Sequence, residues 1–315
     1  MVPSCLSNSI SYTMRFLMFF ISFRVMRPSV LFATTLAVST ACFAQESEIQ
    51  INANVPYRPE LADDAYAQEF CKLDIYQPAK DVSNAPILIW FHGGGLEGGS
   101  KTSGLTKKLA ESFAAQGVIV VVPDYRLSPN VTFPTYLEDA ARVVSYTQTY
   151  IASSQNGADV FVGGHSAGGY IVSLLAMDLH YLKDAGVDET TLAGFIPVSG
   201  QVMTHFTVAK EKGIARPAII ADEAAPIYHI RKETAPILVI MGGDDWPARL
   251  EENRYYVAVM RKVAENNSIA LVEVDDRTHS SILKGLSSPD DPAAIAALSF
   301  IRTKKLPPDE IIENN

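Results

Sequence analysis

What this chain of 315 residues most plainly lacks is a cluster of positive charge: 26 Lys and Arg stand against 35 Asp and Glu, for a formal net charge of −9. Nucleic-acid binding needs Lys and Arg gathered against phosphates, so that class of partner is excluded. Cysteine is scarce too, at Cys5, Cys42 and Cys71. Only Cys71 lies beyond residue 44. No disulfide framework can staple such a chain, and stability has to come from a buried core. Cys71 itself sits in the alternating run Phe70 to Tyr76 and reads as a packed residue rather than a nucleophile. No apolar run near the start is long enough to span a bilayer, because Arg24 and Arg27 interrupt it. Repeats and low-complexity tracts are also missing, which excludes solenoid and fibrous designs.

The first 44 residues contain no Asp or Glu but carry Arg15, Arg24 and Arg27, leaving the rest of the chain more acidic than the whole. Met26-Arg27-Pro28 is followed by an apolar segment, Val30 to Val38, and then by Ala41-Cys42-Phe43-Ala44. A charged start, an apolar core and small residues at the two recognised positions, Cys42 and Ala44, are the pattern of an export signal cut after Ala44. The expected location is therefore periplasmic or secreted, with no stable membrane insertion once the signal is removed. Residues before Met26 read as an over-extended start, with Met14 or Met26 as initiator. Lipoprotein cleavage before Cys42 is the competing reading, but Ser39 stands where that processing favours a bulky apolar residue.

The whole chain is 48% hydrophobic and 19% charged, and what is present from residue 45 on suits one domain. Short apolar runs at Pro86–Phe91, Val118–Val122, Val160–Val162, Ala193–Val198, Pro236–Ile240 and Ile269–Val274 read as strands buried on both faces. Helical spacing occupies 102–116, 136–153, 170–182, 248–263 and 292–303. This alternation predicts an α/β fold with a mostly parallel sheet, helices on both faces, and functional groups beyond the strands' carboxyl ends. Gly200 to Glu233 is the one long irregular stretch, either a small cap or a surface excursion.

Gly164-His165-Ser166-Ala167-Gly168 lies between a strand pattern and a helix pattern, the context a nucleophile elbow requires. The glycines allow the sharp turn, and the helix start would aim the Ala167 N–H at the site. A serine hydroxyl needs a base, and the base a carboxylate to orient it. Of six histidines only His279 follows the last strand, on a short polar loop expected over Asp275 to Ser281, so it is the expected general base. Two adjacent carboxylates, Asp244 and Asp245, follow the preceding strand, and Asp245 is preferred. His92-Gly93-Gly94-Gly95 after the Pro86–Phe91 strand offers backbone N–H donors for a developing oxyanion. It lacks the lysine of a phosphate-binding loop, and His92 reads as a structural partner of the loop.

Together Leu73-Asp74-Ile75-Tyr76, His92–Gly95, Asp124-Tyr125-Arg126-Leu127-Ser128-Pro129, Gly164–Gly169, Gly242–Asp245 and Thr278-His279 resemble the α/β-hydrolase superfamily. The resemblance is to its esterase/lipase branch, with hormone-sensitive-lipase-like, feruloyl/acetyl-xylan-esterase-like and kynurenine-formamidase-like members. It implies Ser166 as nucleophile, His279 as base, Asp245 as its orienter, and the N–H groups of Gly94, Gly95 and Ala167 as oxyanion hole, with no metal and no cofactor. The short stretch between Ala44 and the first matched strand cannot hold a large N-terminal cap, which favours small or short-acyl ester substrates. A small-formamide hydrolase uses the same groups, and an inactive binding module is the rival from another class. The pockets that would select acyl and alcohol groups carry no motif, and oligomeric state has no sequence signature here.

Overall fold

The computed structural model describes residues 49–79 and 83–312, so the expected export signal lies outside the described residues. Along the chain come β1 (Ile49–Pro56), α1 (Ala65–Phe70), β2 (Lys72–Pro78), β3 (Ile87–Phe91), α2 (Gly104–Ala115), β4 (Ile119–Pro123), α3 (Thr135–Tyr146) and β5 (Val160–His165). Then follow α4 (Ala167–Met177), α5 (Leu179–Asp184), β6 (Gly194–Val198), α6 (Phe206–Glu211) and β7 (Ile237–Asp244). The last elements are α7 (Arg249–Lys262), β8 (Ile269–Thr278), α8 (His279–Leu286), α9 (Pro292–Thr303) and β9 (Glu310–Ile312).

The strands form one sheet in the order β1-β2-β4-β3-β5-β6-β7-β8-β9. Pairings β1/β2 and β2/β4 are antiparallel, and every pairing from β4 onward is parallel. All five residues of β3, β4 and β6 are buried, as strands covered on both faces require. Side chains alternate between two cores. Ile87, Ile89 and Phe91 of β3 join residues of α3, α4, α5 and α7 on one face, while Leu88 and Trp90 join α2, α8 and α9 on the other.

Several boundaries differ from the sequence pattern for identifiable reasons. The run expected as a strand from Phe70 begins at Lys72, because Asp64 caps α1 through the N–H groups of Tyr66 and Ala67. The helix expected over 136–153 is α-helical only to Tyr146 and then loosens into a π-helical turn over 147–152. The elbow helix stops at Met177, where Asp178 turns to extended backbone and caps α5. At the other end of the chain, the polar stretch 275–281 is no loop. Strand β8 continues to Thr278, whose side chain forms a capping box with Ser281 and starts α8 at His279. Neither β1 nor β9 had a signal strong enough to predict; β1 is largely exposed, and β9 is three residues long.

The 200–233 excursion contains α6 and a 3-10 turn at Pro226–His229. It packs down on the site rather than standing away from it. Thr207 Oγ1 donates to the Gly95 carbonyl (2.5 Å), and Tyr170 Oη in α4 donates to the Ala224 carbonyl (2.7 Å).

Candidate active site

Ser166 sits between β5 and α4 with φ 57° and ψ −114°, a backbone state that L-residues seldom adopt. Its amide donates to the Val198 carbonyl of β6 (2.9 Å), and its own carbonyl caps Tyr170 N–H (2.9 Å). The turn is possible only without side chains beside it. A Cβ on Gly168 would lie 2.1 Å from the Phe91 carbonyl oxygen, and one on Gly164 would lie 2.7 Å from the Gly168 carbonyl. The serine therefore rises from the sheet's carboxyl edge while the elbow presses on the end of β3.

His279 Nε2 lies 2.8 Å from Ser166 Oγ, and its Nδ1 lies 2.7 Å from Asp245 Oδ1. With Nδ1 donating to the carboxylate, Nε2 is left to accept the serine proton. Of the two candidate acids, Asp245 turns inward with a fully buried side chain and Asp244 is exposed. Burial works to raise the Asp245 pKa, but hydrogen bonding from His279, Ser199 and the Trp246 N–H outweighs it and holds the carboxyl below its usual range. The relay is thus drawn from three separate strand ends: β5, β7 and β8.

The glycine loop after β3 lies against this relay. A Cβ on Gly93 would be 3.1 Å from Ser166 Cβ. Gly94 has φ 123°, and a Cβ there would meet the Gly98 carbonyl oxygen at 2.1 Å, so no other residue fits. None of the loop and cap hydrogen bonds among the described residues uses the N–H of Gly94, Gly95 or Ala167 as donor. Among the described residues these three backbone donors are therefore uncommitted in such bonds, that of Ala167 at a helix N-terminus. His92 is buried, hydrogen-bonds through Nδ1 to the Gly93 carbonyl (2.7 Å) and stacks on Tyr125, so it shapes the loop and does not reach the serine.

Three further residues had no signal in the sequence. His165 Nε2 donates to the carbonyl of His279 (2.7 Å), tying the elbow to the start of α8. Burial, reinforced by the neighbouring His279 charge, pushes the His165 pKa down to about 4, which keeps it neutral. Ser199 has φ 50° and a buried hydroxyl beside Asp245; among the described residues neither that hydroxyl nor Asp245 Oδ2 has a partner of ordinary hydrogen-bond geometry, yet the hydroxyl is near enough to lower the carboxyl pKa. Trp246 stacks on His279, at 3.7 Å between centroids and 16° between planes. Among the described residues no group of three or more His, Cys, Asp or Glu could hold a metal ion.

The family profile described as BD-FAE matches residues 73–255, more than half of the chain. The chain belongs to the BD-FAE family. The match takes in Ser166 and Asp245 and ends before His279. Among curated relatives, the probable carboxylic ester hydrolase LipM of Mycobacterium tuberculosis is 27% identical over 73% of this chain and 57% of its own length. Esterase LipC of the same organism is 25% identical over 71% of this chain and 60% of its own length. This BD-FAE chain thus spans a little over half the length of those relatives. Among solved structures, esterase B of Lactobacillus rhamnosis, inhibited by a tributyrin phosphonate, superposes with a TM-score of 0.63 at 19% identity, covering 81% of this chain and 85% of its own. A truncated carbohydrate esterase from gut microbiota gives 0.64 at 16% identity, covering 83% and 98%. These likenesses show that the chain shares the fold of those proteins.

Proposed function

We propose that this BD-FAE chain is a serine hydrolase of carboxylic esters, working through an acyl-enzyme on Ser166. The observation that carries the reading is the continuous relay from Ser166 Oγ to His279 Nε2 and from His279 Nδ1 to Asp245, 2.8 and 2.7 Å long. Ser166 attacks the ester carbonyl while His279 takes its proton and passes it to the departing alcohol. Water then enters, gives its proton to the same nitrogen, and releases the acid as Ser166 is regenerated. Asp245 holds the imidazole in the required tautomer and offsets the positive charge it acquires. The Gly94, Gly95 and Ala167 N–H groups meet the negative charge that gathers on the carbonyl oxygen, each worth roughly 3 kcal/mol of barrier. The names of the curated relatives support the same chemistry.

The substrate class that fits is a small or short-acyl ester. A cleft of about 400 Å³ is lined by apolar residues such as Phe206, Ile214 and Ile219 and by charged ones, Glu97, Arg216 and Glu252 among them. Phe206 brings this cleft to the glycine loop, since its ring rim would be 3.2 Å from a Cβ on Gly95. A burst of p-nitrophenol from p-nitrophenyl acetate with the native protein, and none with Ser166→Ala, is the expected result. Equal release from both proteins refutes the reading. Export, with removal of residues 1–44, belongs to the same proposal. N-terminal sequencing of the protein recovered outside the cytoplasm should begin at Gln45, and a retained leader would refute it.

A further inference from the structure

The His279 ring is covered by a side chain that the relay chemistry does not itself require. Trp246 lies nearly parallel to the imidazole with its centroid 3.7 Å away, whereas His165 approaches the same ring at 4.8 Å and 46°. Trp246 is 48% exposed although it is the largest kind of apolar side chain, while His279 beneath it is 4% exposed. One face of the indole thus covers a polar ring, the Arg249 guanidinium lies 5.7 Å from its centroid, and much of the rest is left in water. Nor is its placement loose. The backbone N–H of Trp246 donates to Asp245 Oδ1 (2.6 Å), so its main chain belongs to the same turn that carries the acid. Two residues on, Ala248 has φ 66° and starts α7, whose buried Arg249 donates to the Ser199 carbonyl (3.3 Å). The turn is therefore fixed from both ends.

We propose that Trp246 is a positioning residue for the relay, holding the His279 ring in plane and stabilising the imidazolium that forms when Nε2 takes a proton. The inference rests on the acyl-transfer reading above. The face of an indole carries negative potential, and a cation placed over it within about 6 Å is attracted, most strongly where water is excluded. Neutral imidazole gains little from that face and imidazolium gains more, so the contact strengthens as the barrier is climbed, which is the condition for acceleration. The same histidine becomes charged twice per turnover, once with the serine proton and once with the water proton. Trp246 should therefore act equally on acylation and deacylation. A contact with the leaving alcohol could affect only the first.

The experiment compares Trp246→Phe with Trp246→Leu, by burst and steady-state kinetics on p-nitrophenyl acetate and by thermal unfolding. Phenylalanine keeps a π face, and its kcat is expected within about threefold of native; leucine keeps apolar cover without that face and should lose roughly tenfold in kcat at nearly unchanged KM. Acylation and deacylation should fall by similar factors. Native rates in the leucine protein overturn the proposal, as does an equal loss in both variants or a loss confined to the burst. Trp246→Met substitutes if the leucine protein does not fold. A native protein that does not turn over the ester refutes the hydrolase reading itself, a separate outcome.

Discussion

Replacing Gly168 by alanine should disable the site while leaving all of its side chains in place. Its added methyl carbon would sit 2.1 Å from the Phe91 carbonyl oxygen, 2.7 Å from the Phe91 carbonyl carbon and 2.9 Å from the His92 oxygen. Carbon and carbonyl oxygen ordinarily meet at about 3.3–3.6 Å, so the start of α4 and the end of β3 must part by more than about 1 Å. All three obstacles are backbone, and no side chain can swing away to absorb the shift. Overpacking of this kind costs about 1–3 kcal/mol of stability. The larger effect should fall on catalysis, because the displaced backbone leads directly into His92–Gly95. A misplacement of about 1 Å between nucleophile and oxyanion donors can cost on the order of 100-fold in rate. Gly104→Ala is the control: Gly104 opens α2 and a Cβ there meets nothing within 4 Å. Alanine at that site should stabilise by up to about 1 kcal/mol and leave the rate unchanged. The assays are urea unfolding and kcat/KM on p-nitrophenyl acetate. If Gly168→Ala keeps its rate within about threefold of native, the pressing of the elbow on β3 does not set the geometry of the site.

The two carboxylates of β7's end should separate cleanly under amide substitution. Asp245→Asn reverses the hydrogen-bonding demand on His279 and should lower kcat on the order of 10³- to 10⁴-fold. Asp244→Asn, at an exposed position, should remain near native, and the opposite ranking would reassign the acid. Stability should also fall with acid in a defined window. Burial holds the His165 pKa at about 4 and that of His205 at about 3, against an ordinary 6.5. On acidification the unfolded chain takes up these protons before the folded one. Stability is therefore fully present above about pH 6.5 and is lost toward pH 4, at up to about 1.4 kcal/mol per pH unit for each histidine. Urea midpoints measured from pH 8 to pH 4 should show this decline, and His165→Gln should flatten it. An identical slope in that variant would assign the acid sensitivity elsewhere.

The parts of the site that were legible in the sequence are those whose chemistry constrains residue type at a fixed place. Ser166 was found because an elbow needs small residues on both sides, and His279 because only one histidine follows the last strand. Asp245 could be preferred to Asp244 but not decided, since neighbouring side chains diverge only once the strand end has a direction. Glycines 94 and 95 were visible as a run; their backbone state was not. What stayed hidden depends on distance across the sheet. Ser199 and Trp246 reach Asp245 and His279 from β6 and from the turn after β7, and nothing in a local pattern marks either residue. The loop expected at His279 became strand and helix because Thr278 and Ser281 cap each other, a signal that polar composition concealed.

β1, the least legible strand, bears on the chemistry through a polar path beneath the glycine loop. It bulges between Asn52 and Val55 and places Asn54 at φ 59°. There the Asn54 N–H donates to Asp74 Oδ1 (2.8 Å) while its side-chain oxygen accepts from Lys101 Nζ (2.9 Å). Lys101 is 4% exposed and also bonds Asp74 (2.7 Å), and its backbone N–H donates to Asp124 Oδ1 (2.6 Å). Tyr125 then carries the connection to the His92 carbonyl (2.8 Å). Burying a lysine and an aspartate together is a poor way to gain stability, since desolvation cancels much of their attraction. Their worth lies in rigidity. Backbone donors stabilise an oxyanion only if they already point at it before charge develops, and a run of three glycines has no intrinsic tendency to hold still. Fixing the chain on both sides of Gly93–Gly95, at His92 and at Lys101, removes that freedom without placing any side chain in the space the substrate must occupy.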